Sequence, residues 1–105
     1  MAQMAHQKRT VAPCVASCVD DEHTRIFLEV EIPGVNKEDI RLTMHEDSFY
    51  LTAHREDGYL DYATSYALCC PVKAEQAEAK YENGLLKIVV PFRDAMENAI
   101  NINVA

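Results

Sequence analysis

Hydrophobic and polar residues alternate along several stretches of this chain with the period of a β-strand. Ile26, Leu28, Val30 and Ile32 alternate with Arg25, Phe27, Glu29 and Glu31, the pattern of a strand with one buried face. Pro33-Gly34 ends that segment, and Asn36-Lys37-Glu38-Asp39 reads as a polar turn. Ile40, Leu42 and Met44 then alternate with Arg41, Thr43 and His45. After a reversal near Glu46-Asp47, Phe49, Leu51 and Ala53 alternate with Tyr50, Thr52 and His54. A two-residue turn sets Met44 opposite Phe49 and Leu42 opposite Leu51, so apolar side chains meet across the hairpin. The same register sets His45 opposite Ser48 and His54 opposite Asp39.

Proline punctuates the remaining segments, because it cannot donate to a sheet ladder. A strand over Ala63 to Cys70 stops at Pro71, and one over Leu85 to Val90 stops at Pro91. Pro13 confines an N-terminal strand around Val11 to Val19 to a sheet edge or a strand start. Lys73 to Lys80 has strong intrinsic helix propensity, yet Ala77, Ala79 and Tyr81 also alternate. Asn83-Gly84, between an alternating and an apolar segment, carries the strongest hairpin signal in the chain. Short strands separated by turn signals predict an all-β, immunoglobulin-like β-sandwich of two antiparallel sheets.

Composition narrows the function. A chain of 105 residues, 49% hydrophobic and 26% charged, is one globular domain that folds without staples. Its net charge of −7, with Lys8 and Arg9 among the first ten residues, leaves an acidic body that repels nucleic acid and anionic membranes. No apolar run approaches the roughly 20 residues of a membrane span, and Met1 to His6 has no signal-peptide core, so a cytoplasmic location is expected. Gly34, Gly58 and Gly84 are the only glycines, and they form neither a phosphate-cradling loop nor a dinucleotide turn. His6, His23, His45 and His54 are scattered. No catalytic constellation, metal site or cofactor is expected, and the carboxylates read as a solvated acidic face.

Cys14, Cys18, Cys69 and Cys70 have no C-x-x-C spacing. Along a strand, Cys14 and Cys18 stand about 13 Å apart at roughly 3.3 Å per residue, too far to share a zinc ion. Cys69 and Cys70, as strand neighbours, point to opposite faces. All four are expected as small buried apolar side chains in a reducing compartment, with an adventitious intermolecular disulfide open to Cys69 or Cys70 if exposed.

Two segments carry a family resemblance. Ala79-Lys80-Tyr81-Glu82-Asn83-Gly84-Leu85-Leu86 resembles the A-x-x-x-n-G-v-L signature of the small heat-shock protein (α-crystallin domain) family. Glu31-Ile32-Pro33-Gly34-Val35, followed by Asn36 to Ile40, is similar to the family's connector between two strands, and the two segments stand about fifty residues apart. Ile100-Asn101-Ile102, with polar neighbours Asn98 and Asn103, is similar to its I-x-I tail motif. The resemblance implies a short helical turn near Lys73 to Gln76 and then a strand to Glu82. It implies a short flexible arm over 1–10, an α-crystallin domain over 11–92 and a C-terminal extension over 93–105.

Functionally, the resemblance implies an ATP-independent chaperone of the holdase type, and no enzyme. Its partners would be its own copies, as a homodimer or higher oligomer, and partly unfolded client proteins. Ile100 and Ile102 would dock in a groove between Ile40, Leu42, Met44 and Ala77, Ala79, Tyr81. The alternative for Ile100, Ile102 and Val104 is a terminal strand or packing on their own domain. Arg55 to Tyr62 is too short for the reaching, strand-swapping loop of many members, but Tyr59, Leu60 and Tyr62 are candidates for a close dimer contact or simply for capping the sandwich. The short loop and arm also fit another class, the CS-domain-like interaction module that binds a specific folded partner.

Overall fold

The computed structural model describes residues 9–94 and 99–105. Among the described residues there are eight strands: β1 (Arg9–Val11), β2 (Val15–Val19), β3 (Arg25–Glu31), β4 (Val35–His45), β5 (Ser48–Arg55), β6 (Leu60–Ala67), β7 (Glu78–Glu82) and β8 (Leu85–Pro91). They form two four-stranded sheets, one in the order β1-β6-β5-β4 and the other β2-β3-β8-β7. This is the expected sandwich. One pairing departs from it: β1 runs parallel to β6, with Arg9 opposite Leu60 and Val11 opposite Tyr62.

The expected N-terminal strand is interrupted at Pro13, and its halves belong to different sheets. A residue with no N–H weakens any ladder it joins, so the chain crosses from one sheet to the other there. Residues 1–8 of the expected arm lie outside the described residues, while Arg9 and Thr10 belong to β1.

Strict alternation is honoured in the interior. Ile26, Leu28 and Val30 of β3 are buried, as are Phe49, Leu51 and Ala53 of β5 and Leu86, Ile88 and Val90 of β8. With Ile32, Val35, Tyr62 and Val72 they make one continuous core. Complete burial of a Leu, Ile or Phe side chain is worth roughly 1.5–3 kcal/mol, so this set drives the two sheets together. Phe49 and Tyr66 stack with ring centroids 5.4 Å apart.

The β4–β5 hairpin has the expected register, with Met44 opposite Phe49, Leu42 opposite Leu51 and His45 opposite Ser48. Asn36 to Asp39 form no free turn: they lie within β4, where the register shifts between Val35 and Ile40. An irregularity absorbs the surplus residues without ending the strand. On the other side of β5, His54 lies opposite Asp61, with Nδ1 2.9 Å from the carboxylate.

β6 begins at Leu60, earlier than the expected Ala63, and ends at Ala67, before the two cysteines. The connector therefore contracts to a tight turn in which Gly58 takes φ +77 and the Tyr59 N–H donates to Asp57 Oδ1 at 2.9 Å. After β6 the chain is tied back by the Val72 N–H to the Glu46 carbonyl at 2.7 Å, and a 3-10 turn over Ala74–Gln76 precedes β7. The helical propensity of Lys73 to Lys80 is thus spent on one short turn.

Candidate docking edges and tail

Ala12 to Cys14 alone separate β1 from β2, so these two edge strands close the same side of the sandwich. β4 and β7, the other edge of each sheet, consequently lie on the opposite side. An edge strand presents unpaired backbone groups to any extended segment that approaches it. The side chains expected to line a groove divide unevenly. Ile40, Leu42 and Met44 from β4 and Ala77 and Tyr81 beside and within β7 are partly buried against the common core, whereas Ala79 is exposed.

Two phenols fasten the corner where the chain passes from one sheet to the other. Tyr81 donates to the Ile32 carbonyl at 3.0 Å, and Tyr62 donates to the Pro33 carbonyl at 3.1 Å. The Asn83-Gly84 turn meets this corner from β7 and β8. Both residues have positive φ, 52 and 81, as a type I′ turn requires, and the Ile32 N–H donates to the Gly84 carbonyl at 2.9 Å.

The described part of the tail, residues 99–105, forms no strand. Ile100, Ile102 and Val104 are 78%, 74% and 94% exposed. Asn98 lies outside the described residues. Before the tail, the Arg93 N–H donates to the Pro71 carbonyl at 2.9 Å and its side chain reaches Glu75 and Glu46.

The three residues considered for a dimer loop occupy distinct settings. Tyr59 is 55% exposed at the turn, Leu60 is half-buried at the start of β6, and Tyr62 lies in the core. The turn is short because Asp57-Gly58 reverses the chain at once.

The cysteines correct the expectation of burial: all four are exposed free thiols. Cys69 and Cys70 lie beyond the end of β6, so strand alternation does not govern them. They line an open cleft of about 800 Å³ together with Val19, Phe92 and Lys73. The sequence held no pattern for this cleft, since its walls come from the ends of three separated segments; the Cys69-Cys70-Pro71 run was its only local signal. Among the described residues no cluster of three or more His, Cys, Asp or Glu side chains could hold a metal ion.

Comparison with known proteins agrees with this architecture. The chain matches the Hsp20/alpha crystallin family over residues 18–105. It therefore belongs to that family, and membership supports a chaperone role. It is similar to a probable 15 kDa heat shock protein of Leptospira interrogans, 24% identical over 106 residues that cover 90% of this chain and 80% of the relative. Similarity to a chloroplastic small heat shock protein of Pisum sativum is 25% over 97 residues, 82% of this chain but only 42% of that protein. Among solved structures, the fold is similar to heat shock protein 16.0 from Schizosaccharomyces pombe, with TM-score 0.69, 17% identity and coverage of 99% of this chain and 80% of that one. A small heat-shock protein from Xylella fastidiosa, described as having a distinct high order structure, gives TM-score 0.68 at 21% identity over 90% and 96% of the two chains.

Proposed function

We propose that this chain is an ATP-independent holdase, which binds exposed apolar segments of partly unfolded proteins and assembles with its own copies through its tail. The observation that carries the reading is a complementarity. Ile100 and Ile102 stand exposed on a segment that belongs to neither sheet, while β4 and β7 are open edges flanked by partly buried Ile40, Leu42, Met44, Ala77 and Tyr81. Alternation puts Ile100 and Ile102 on one side of an extended strand, so both enter the groove of a neighbouring copy, with Ala79 on its rim. Family membership and the high order structure described for the Xylella fastidiosa protein support assembly.

Client and tail compete for one apolar surface in this scheme, and no nucleotide is consumed because exchange is driven by differential affinity alone. Nucleic acid and membranes are not partners, on the strength of the −7 net charge. Among the described residues no helix is long and apolar enough to cross a membrane. Four free thiols suit a reducing compartment, which favours the cytoplasm.

One observation favours the second reading, a CS-domain-like module for a specific folded partner. The connector after β5 is a tight turn and Tyr62 is committed to the core, leaving Tyr59 as the exposed residue for a contact between copies there. Replacing Ile100 and Ile102 together by Gly separates the readings. Loss of assembly in scattering mass supports tail docking; an unchanged mass removes it and favours the module.

A further inference from the structure

Cys69 and Cys70 are adjacent, exposed and without a role in the docking scheme. Both line the cleft of about 800 Å³ whose apolar wall includes Val19, Pro91 and Phe92. A hydrogen bond that Cys70 donates to Cys69, with desolvation and the neighbouring thiol's charge, pushes the Cys70 thiol up. The other two thiols differ, because Cys14 lies in the connector before β2 and Cys18 within that strand, so they are not sequence neighbours.

We propose that Cys69 and Cys70 form a dithiol site that chelates one organic trivalent arsenical, or a metalloid of the same thiophilic class, with its substituent lying against Val19 and Phe92. Three observations select this ligand. No third metal-binding side chain joins the pair among the described residues, so the site suits an atom satisfied by two sulfurs and one organic group rather than a zinc ion needing four ligands. Neighbouring Cα atoms stand about 3.8 Å apart across a trans peptide, short of the roughly 4.4–6.8 Å a disulfide spans. A bridging atom between the sulfurs widens that ring, which favours capture over direct oxidation. The cleft also supplies apolar surface for an aryl or alkyl group.

The chemistry balances without an oxidant. With an arylarsine oxide, two S–H bonds and the arsenic–oxygen bond break, two arsenic–sulfur bonds form, and both protons leave with the oxygen as one water. Arsenic and sulfur keep their oxidation states. A thiol held protonated is no obstacle, because its proton departs with the oxygen.

The test uses phenylarsine oxide on the full chain carrying Cys14→Ser and Cys18→Ser, read by intact mass, free-thiol count and chain cross-linking. The expected result is one adduct per chain with both remaining thiols consumed, stable to excess monothiol and released by 1,2-ethanedithiol. Cys69→Ser or Cys70→Ser should each lower retention by roughly a hundredfold, since the second bond is no longer intramolecular. Because both side chains are exposed, far-UV circular dichroism should be unchanged in either variant. Equal retention in a single-cysteine variant, an adduct joining two chains, or loss of two thiols without added mass would each overturn the proposal.

Discussion

Gly84 packs against Pro33 so closely that a Cβ placed on it would lie 3.1 Å from the Pro33 Cα. The two segments that carry the family resemblance, distant along the chain, thus touch at a corner sealed by the Ile32 N–H donating to the Gly84 carbonyl. At φ +81 an L side chain is already strained, and here backbone blocks its space as well.

Gly84→Ala should therefore destabilise the fold by on the order of 1–3 kcal/mol, measured by urea unfolding. Gly58→Ala serves as the comparison, because φ is +77 but a Cβ there meets nothing within 4 Å. The smaller loss is expected at Gly58; equal losses would show that the Pro33 contact adds nothing to the conformational cost.

The two phenols that hold this corner should behave alike. Tyr62→Phe and Tyr81→Phe each remove a hydrogen bond to the Pro33 or Ile32 carbonyl and keep the ring, so each should cost about 0.5–1.5 kcal/mol in chemical denaturation. Their acceptors are neighbouring carbonyls, and the double variant should depart from additivity.

Core and tail separate cleanly by stability. Leu28 is fully buried, and Leu28→Ala should lose about 2–5 kcal/mol. Ile102 is 74% exposed, and Ile102→Ala should change the stability of the isolated domain by less than about 0.5 kcal/mol. A large loss at Ile102 in a chain shown to be monomeric would place the tail on its own domain.

Asp20 organises the β2–β3 turn. It accepts from the Thr24 hydroxyl and from the Thr24 and Arg25 N–H groups at 2.7 and 3.0 Å. The Thr24 hydroxyl bond first, then the Arg25 amide, holds its carboxyl below the usual value of 3.8. A depressed pKa means stability that is present above the unfolded-state value and lost as pH falls through the folded one. Asp20→Asn should flatten the decline of stability below about pH 4, read from thermal midpoints across an acid series.

Strict alternation made β3, β5 and the Ile40 to His45 half of β4 legible down to the Met44–Phe49 and Leu42–Leu51 pairs, because a one-residue slip would turn every apolar side chain outward. Asn83-Gly84 was legible for a local reason, its two positive φ angles. What could not be read was set by distance. The parallel pairing of Arg9 with Leu60 leaves no mark near either residue. Tyr62 fell in the interval before the strand expected at Ala63, because Asp57-Gly58 and Asp61 break the apolar pattern there, but it lies within β6 and its ring fills the core beneath Pro33. The same early start of β6 ends the strand before Cys69 and Cys70 and brings them to the surface, against the usual burial of cysteine. Of the tail, Ile100-Asn101-Ile102 was visible as a motif, and its exposure only from the structure.

The central claim is ATP-independent holding of unfolded protein, and light scattering from a heat-aggregating model enzyme tests it most directly. With the chain present in excess and no nucleotide, scattering should stay near its starting level, and Ile100→Gly with Ile102→Gly should alter assembly size without unfolding the domain. Aggregation at the same rate with and without the chain would contradict the account.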